Sequence, residues 1–315
     1  PIDKEGRLLG TEVYNLRLEE LLIIDIKILS GTNKPTIVIL YQDTKEARHV
    51  KTYEIDLIKK ELKEGPWNLP NVEGGASMII TLPKPYGGTI IVGEQSIIYH
   101  NGQFFKSLAM KTTIMKAYGK IDASGKRILL GDHMGNIHVL VLTTEGNVVT
   151  GMTLETLGES SCPSTITYLD EGVVYIGSNY GDSQLIKLND TKDEETGQYI
   201  EVIESFTNLG PIVDFCVVDI ERQGQGQIVT CSGAYKDGSL RVVRNGIGIN
   251  EHAAIDLQGV KGIWSLNPPI EGDKMEVDDE EGEMEKLLVM AFVGETRILA
   301  MAGEELSETE ISGFV

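Results

Sequence analysis

The sequence predicts an all-β protein and, within that class, a divergent WD40-like β-propeller. Three observations carry this reading. Short β-branched runs recur at intervals of 35 to 54 residues, a Gly-punctuated hairpin follows each run, and no long helical period competes with them. A unit of that length with several short strands cannot bury both of its faces alone, so such units stack radially around a channel.

The opening runs are Ile23 to Leu29, Ser77 to Leu82, Thr112 to Tyr118, Ser164 to Leu169, Ile212 to Val218 and Val260 to Leu266. The hairpins that follow are "TIVILYQDTKEARHVKTYEI" (36–55), "TIIVGEQSIIYHNG" (89–102), "ILLGDHMGNIHVLVL" (128–142), "VVYIGSNYGDSQLIKL" (173–188), "IVTCSGAYKDGSLRVV" (228–243) and "LLVMAFVGETRILAM" (287–301). That makes six units. The Trp-Asp dipeptide of WD40 repeats is missing, hence a divergent propeller. The nearest helix candidate, Leu57 to Lys63, is short and runs into Gly65-Pro66, which should stop it.

Two segments break the rhythm. "DTKDEETGQ" (190–198) is a polar loop between strands, and "EGDKMEVDDEEGEMEK" (271–286) carries nine acids and two lysines, the composition of a solvated inter-strand loop.

With 315 residues and 41% hydrophobic content, the chain can bury a large core. Its net charge of −20 disfavours direct binding to free nucleic acid, which depends on Lys and Arg neutralising phosphates. No apolar run approaches the ~18 residues that a membrane span needs. The three cysteines, Cys162, Cys216 and Cys231, lie far apart without metal-ligand spacing, and read as reduced thiols packed in an intracellular β protein. The sequon at Asn189 reads as a chance match, and a chain that begins at Pro1 without Met reads as a piece of a longer one.

Three stretches invite a chemical reading. "GQGQIV" (224–229) has Val229 where a dinucleotide loop needs its third glycine, and it precedes a strand, whereas an anion cradle precedes a helix. "GDSQL" (181–185) resembles an esterase nucleophile motif, yet no histidine has Asp three residues before it, so Ser183 has no evident base. Asp132 and His133, with His138 close by, could suggest a metal or acid–base pair, but Glu94, Asp182 and Asp237 recur at equivalent hairpin turns. Recurrence favours turn chemistry over catalysis.

Apolar residues at turns stand out more. "NLGPIVDF" places Pro211, Ile212 and Val213 at a strand entry, "SGAYKDG" places Ala234 and Tyr235 at a hairpin tip, and "SNYGD" does the same for Tyr180. Loops of one propeller face converge, so these side chains could form an apolar patch rimmed by Asp170, Arg222 and Lys236, the usual signature of a protein interface.

The stretches "YNLRLEELLIIDIKIL", "YQDTKEARHVKTYEI", "GPWNLPNVEGGASMII", "VVYIGSNYGDSQLIKLN", "FVGETRIL" and, most specifically, 204–264 with "ESFTNLGPIVDFCVVDIERQGQGQIVTCSGAYKDGSLRVVRNG" carry a resemblance over essentially the whole chain. The sequence resembles the damaged-DNA-binding protein 1 family, triple-propeller adaptors of cullin-RING ubiquitin ligases related to a polyadenylation-factor and a splicing-factor subunit. The resemblance implies that 1–244 are later blades of a seven-bladed first propeller, and that 245–315 form the crossover and start of a second. It implies a non-enzymatic adaptor without cofactor or metal, acting in DNA damage repair and protein ubiquitination in nucleus and cytoplasm. Its partners would be substrate receptors of the WD40 type and the damage-recognising subunit, through which DNA is contacted mainly indirectly. The cullin scaffold would bind mostly outside this stretch, and no membrane would be involved.

Carried over residue by residue, the receptor cleft corresponds to Tyr168, Asp170, Glu171, Tyr180, Pro211, Ile212, Val213, Ala234 and Tyr235, with Arg222 at the rim. Tyr180 stands where the family usually has an aliphatic residue and Glu171 where it has an amide, and the 271–286 loop is longer and more acidic than usual. Two other functions stay open: an RNA-processing scaffold, and more remotely a hydrolase built on Ser183.

Overall fold

A computed structural model describes residues 22–56, 59, 61–194, 196–220, 226–244, 259–266, 287–302 and 305–309. The chain divides into two compact units, Pro1–Gly246 and Ile247–Val315.

Among the described residues the first unit holds five antiparallel sheets, each a meander in chain order. They comprise β1 (Leu22–Ile28), β2 (Thr36–Gln42), β3 (Arg48–Asp56) and β4 (Glu61–Val72); β5 (Met78–Thr81), β6 (Thr89–Val92), β7 (Ser96–His100) and β8 (Phe105–Ala109); then β9 (Met115–Lys120), β10 (Arg127–Asp132), β11 (Asn136–Glu145) and β12 (Val148–Glu159). The fourth sheet has β13 (Thr165–Tyr168), β14 (Val173–Gly177), β15 (Ser183–Leu188) and β16 (Ile200–Phe206), and the fifth has β17 (Ile212–Val218), β18 (Gln227–Ser232) and β19 (Ser239–Val243). A 3-10 turn, Tyr235–Asp237, joins β18 to β19. All six opening runs coincide with the first strand of a sheet, the sixth being β20 (Val260–Leu266) of the second unit.

The period of 2 along a strand explains how the sheets stack. Ile79 and Ile91 point toward the first sheet and pack with Val38, Leu40 and Val50. Their neighbours Ile80 and Ile90 point the other way and pack with Ile128 and Leu130. Leu129 then faces onward to Ile166, Val174 and Ile176. Three separate cores thus lie between successive sheets, and each fully buried Ile or Leu contributes about 1.5–3 kcal/mol.

The inner strands approach closely. At Gly119 in β9 an added Cβ would sit 2.7 Å from the Ile166 carbonyl oxygen, and at Gly131 in β10 it would sit 2.3 Å from Pro163 Cγ. At the two ends of the row an apolar face is left exposed: Ile26 and Ile28 in β1, and Phe215 and Val217 in β17.

The reading that no long helix interrupts the strands holds where 57–63 is described, since β4 begins at Glu61 and runs through Gly65-Pro66. Edge position permits this: β4 pairs only with β3, the register shifts between Lys51 and Tyr53, and Thr52 Oγ1 bonds both the carbonyl and the N–H of Trp67 across the irregularity. The cysteines are free, but only Cys162 is buried, while Cys216 and Cys231 are exposed on β17 and β18.

The second unit contains β20, β21 (Leu287–Phe292), β22 (Thr296–Ala302) and β23 (Glu305–Thr309) in one four-stranded antiparallel sheet. The acidic segment 271–286 falls between β20 and β21 in the sequence and lies outside the described residues, as do residues 245–258, where the expected crossover would begin, and Gly224 and Arg222.

Candidate protein-docking site

The loops after β14 and β18 meet at one end of the fourth and fifth sheets. Ala234 N–H donates to the Tyr180 carbonyl (3.0 Å), and Gly233 N–H donates to the Pro211 carbonyl (3.0 Å). Those two bonds bring Tyr180, Pro211, Ile212, Ala234 and Tyr235 together. The rings of Tyr180 and Tyr235 meet edge to face, with centroids 5.4 Å apart.

This end of the molecule is held rigid from beneath. Asp237 Oδ2 accepts the Cys162 N–H (2.7 Å). Lys236 Nζ donates to Glu159 Oε1 and to the Ser160 carbonyl, both at 2.6 Å. Lys236 is therefore an internal clamp rather than a free rim charge. Asn208 donates to the Ser178 and Gly181 carbonyls and accepts from Gly210 N–H, fixing the approach to Pro211.

On that framework Tyr235 is 80% exposed, Ile212 49% and Tyr180 39%. Tyr235 also adopts a φ of +57°, a left-handed conformation that a bulky residue holds only when its surroundings over-determine it. Val213 is nearly as exposed as Tyr235 and falls at the register shift between Ile212 and Asp214, although it shares its exposure with the rest of β17.

Tyr168, Asp170 and Glu171 lie elsewhere. They form the turn between β13 and β14, where Val173 N–H donates to the Asp170 carbonyl (2.7 Å) and both Glu171 (φ +48°) and Gly172 (φ +86°) are left-handed, as in a primed hairpin turn. Tyr168 Oη accepts from Gly172 N–H at 3.0 Å. The five residues of β14 separate this turn from Tyr180 by about 17 Å at ~3.3 Å per residue. The structure thus makes two groups of what the expected convergence of loops on one face had made one, and Asp170 does not rim the Tyr235 patch.

The turn carboxylates do structural work. Asp132 is buried and accepts from Met134 N–H, Asn136 N–H, Asn136 Nδ2 and Thr113 Oγ1 at 2.8–3.0 Å, with His138 Nε2 3.5 Å away. Burial pushes its pKa up, and these donors outweigh that and hold it well below the usual carboxylate range. Asp182 is likewise held low: burial opposes it, and the Asn208 N–H and Arg241 guanidinium prevail. Ser183 Oγ accepts from Ser178 N–H at 3.2 Å.

A cavity of about 480 Å³ opens beside the tyrosine pair, lined among others by Ile114, Lys116, His133, Cys162 and Pro163. Sequence reasoning did not join these residues, and did not single out Ile114, Lys116 or Pro163, because they come from three loops and an inner strand and no local pattern links them. Burial first, and then the Asp237 carboxylate beside it, push the Cys162 thiol up to about 11, so it stays neutral.

Residues 3–207 match the family model described as the RSE1/DDB1/CPSF1 first beta-propeller. The chain belongs to that family. Relatives of this propeller family include DNA damage-binding protein 1b of Arabidopsis thaliana and DNA damage-binding protein 1 of Solanum lycopersicum, each 56% identical across 100% of this chain and 28% of the relative. DNA damage-binding protein 1 of Oryza sativa subsp. japonica is 56% identical as well. The chain thus spans 28% of the length of these curated relatives.

Proposed function

We propose that this chain is part of a non-enzymatic adaptor of a cullin-RING ubiquitin ligase, and that the Tyr180–Ile212–Tyr235 patch docks short helical segments of substrate receptors. The observation that supports this most is the rigid, clamped presentation of exposed apolar side chains at one sheet end. A preformed apolar surface is what an amphipathic helix needs, because little ordering entropy is lost when it lies down. The 56% identity to proteins named for binding damaged DNA supports the link to DNA damage. With a net charge of −20, contact with DNA falls to a partner rather than to this chain. The same reading places the protein in nucleus and cytoplasm, with the cullin bound mostly elsewhere on the longer chain and with 245–315 beginning a second propeller.

The family name also covers relatives of other titles, so an RNA-processing scaffold is the second reading. Affinity purification of the full-length protein separates the two. Recovery of a cullin and WD40-type receptors is the expected result, and recovery of polyadenylation or splicing subunits without a cullin would reverse the assignment.

A further inference from the structure

We propose that the cavity beside the tyrosine pair is an anchor subsite for an acidic side chain of the docked segment, with Lys116 as its counter-ion. The proposal rests on the docking reading and adds a charge preference to it.

Lys116 projects from β9 and is exposed. Among the described residues it makes no ion pair and no hydrogen bond, whereas lysines nearby do: Lys27 lies 3.2 Å from Asp25, Lys120 donates to the Thr81 carbonyl, and Lys236 holds Glu159. Among the described residues no carboxylate lines the cavity. Carboxylates of the surrounding framework are already engaged: Asp237 with Cys162 N–H, Asp132 with its own turn, and Asp25, which lines the adjoining cavity with Lys116, with Lys27 and the N–H groups of Ile26 and Ile79. The Cys162 thiol adds no charge, and the Cys162 Sγ donates to the His133 carbonyl (3.2 Å). In a chain of net charge −20, a cavity with an unpaired cation and no anion is complementary to a negative group.

Its walls say what carries that group. The side chains of Tyr180, Tyr235, Ile114 and Pro163 are suited to methylenes, while Lys116 reaches the cavity from β9, an inner strand. Lys116 and Ser164 also border a second cavity of about 540 Å³ among β1, β5, β9 and β13, so the subsite opens toward the inner strands. A side chain with an apolar stem and a terminal carboxylate fits this gradient, entering from the apolar patch and forming a charge-assisted bond at its end.

The test is a displayed library of short random peptides panned against the full-length protein, with Lys116→Glu and Lys116→Met variants beside the wild type. Wild-type protein should enrich peptides with one acidic position among apolar ones. Lys116→Met should weaken those peptides by roughly tenfold, and Lys116→Glu should invert the preference at that position to Lys or Arg. Lys116 is exposed, so melting temperatures should stay unchanged; if Lys116→Glu melts early, Lys116→Gln carries the same comparison. Peptides that bind and are weakened by Tyr235→Ala, yet show no acidic preference and no response to Lys116, overturn the subsite and leave the docking surface standing. Failure to select any peptide sensitive to Tyr235→Ala overturns both.

Discussion

Tyr180 and Tyr235, 55 positions apart in sequence, meet at an interplanar angle of 83°, the edge-to-face arrangement that places one ring's positive edge on the other's negative face. The contact joins the loops of two successive sheets, and the hydrogen bond from Ala234 N–H to the Tyr180 carbonyl beneath it fixes their relative height. Neither loop would present its ring in this way alone.

Tyr235→Ala should therefore separate binding from folding. The side chain is 80% exposed, so its removal should change stability by no more than about 0.5 kcal/mol. Loss of a central aromatic contact should weaken receptor binding by about 2 kcal/mol or more. Thermal melting and calorimetric titration on the full-length protein check the two halves.

Asp237→Ala removes the acceptor for Cys162 N–H and so loosens the clamp under the tip. Leaving a buried donor unsatisfied costs about 1–3 kcal/mol. Hydrogen exchange should rise at 160–164 and 233–238 while the cores between the first three sheets stay protected.

Asp132 should govern part of the acid limb of the stability curve. Its folded pKa lies below its unfolded value, so its stabilisation is fully present above the unfolded carboxylate pKa, near 4, and is lost as pH falls through the folded value. Asp132→Asn should lower stability at neutral pH and flatten the loss between about pH 4 and pH 2, measured by denaturant midpoints across that range.

Gly119→Ala should be costly even though it adds only one carbon. The new Cβ would meet the backbone of Ile166, which cannot rotate away, so the third and fourth sheets must move apart. A loss of about 1–3 kcal/mol is expected, with an earlier thermal transition.

The stacked-sheet fold was legible because a strand buried on both faces is a continuous apolar run, and runs such as Ser77 to Leu82, with Ile79, Ile80 and Leu82 fully buried, announce their sheets directly. β4 was hidden because Gly65-Pro66 reads as a breaker, and only edge position with the Thr52 bonds makes it a strand. The exposed apolar tip was legible at Tyr180, Ile212 and Tyr235, since apolar residues at turns look unusual before any partner is known. Tyr168, Asp170 and Glu171 were grouped with Tyr180 through the family resemblance and the expected convergence of loops, and the sequence does not show that the two turns occupy opposite ends of β14. Lys116 carried no signal, because a lysine is remarkable there only once the acceptors around it are seen to be taken.

The most direct measurement of the docking claim compares wild-type full-length protein with Ile212→Asp, scoring recovery of WD40-type receptors beside melting temperature. Ile212 is half-exposed at the patch, so the account predicts loss of receptor recovery, a cost of about 2–4 kcal/mol for a charge in a desolvated contact, with melting unchanged. Undiminished recovery by a variant that melts like wild type would contradict it.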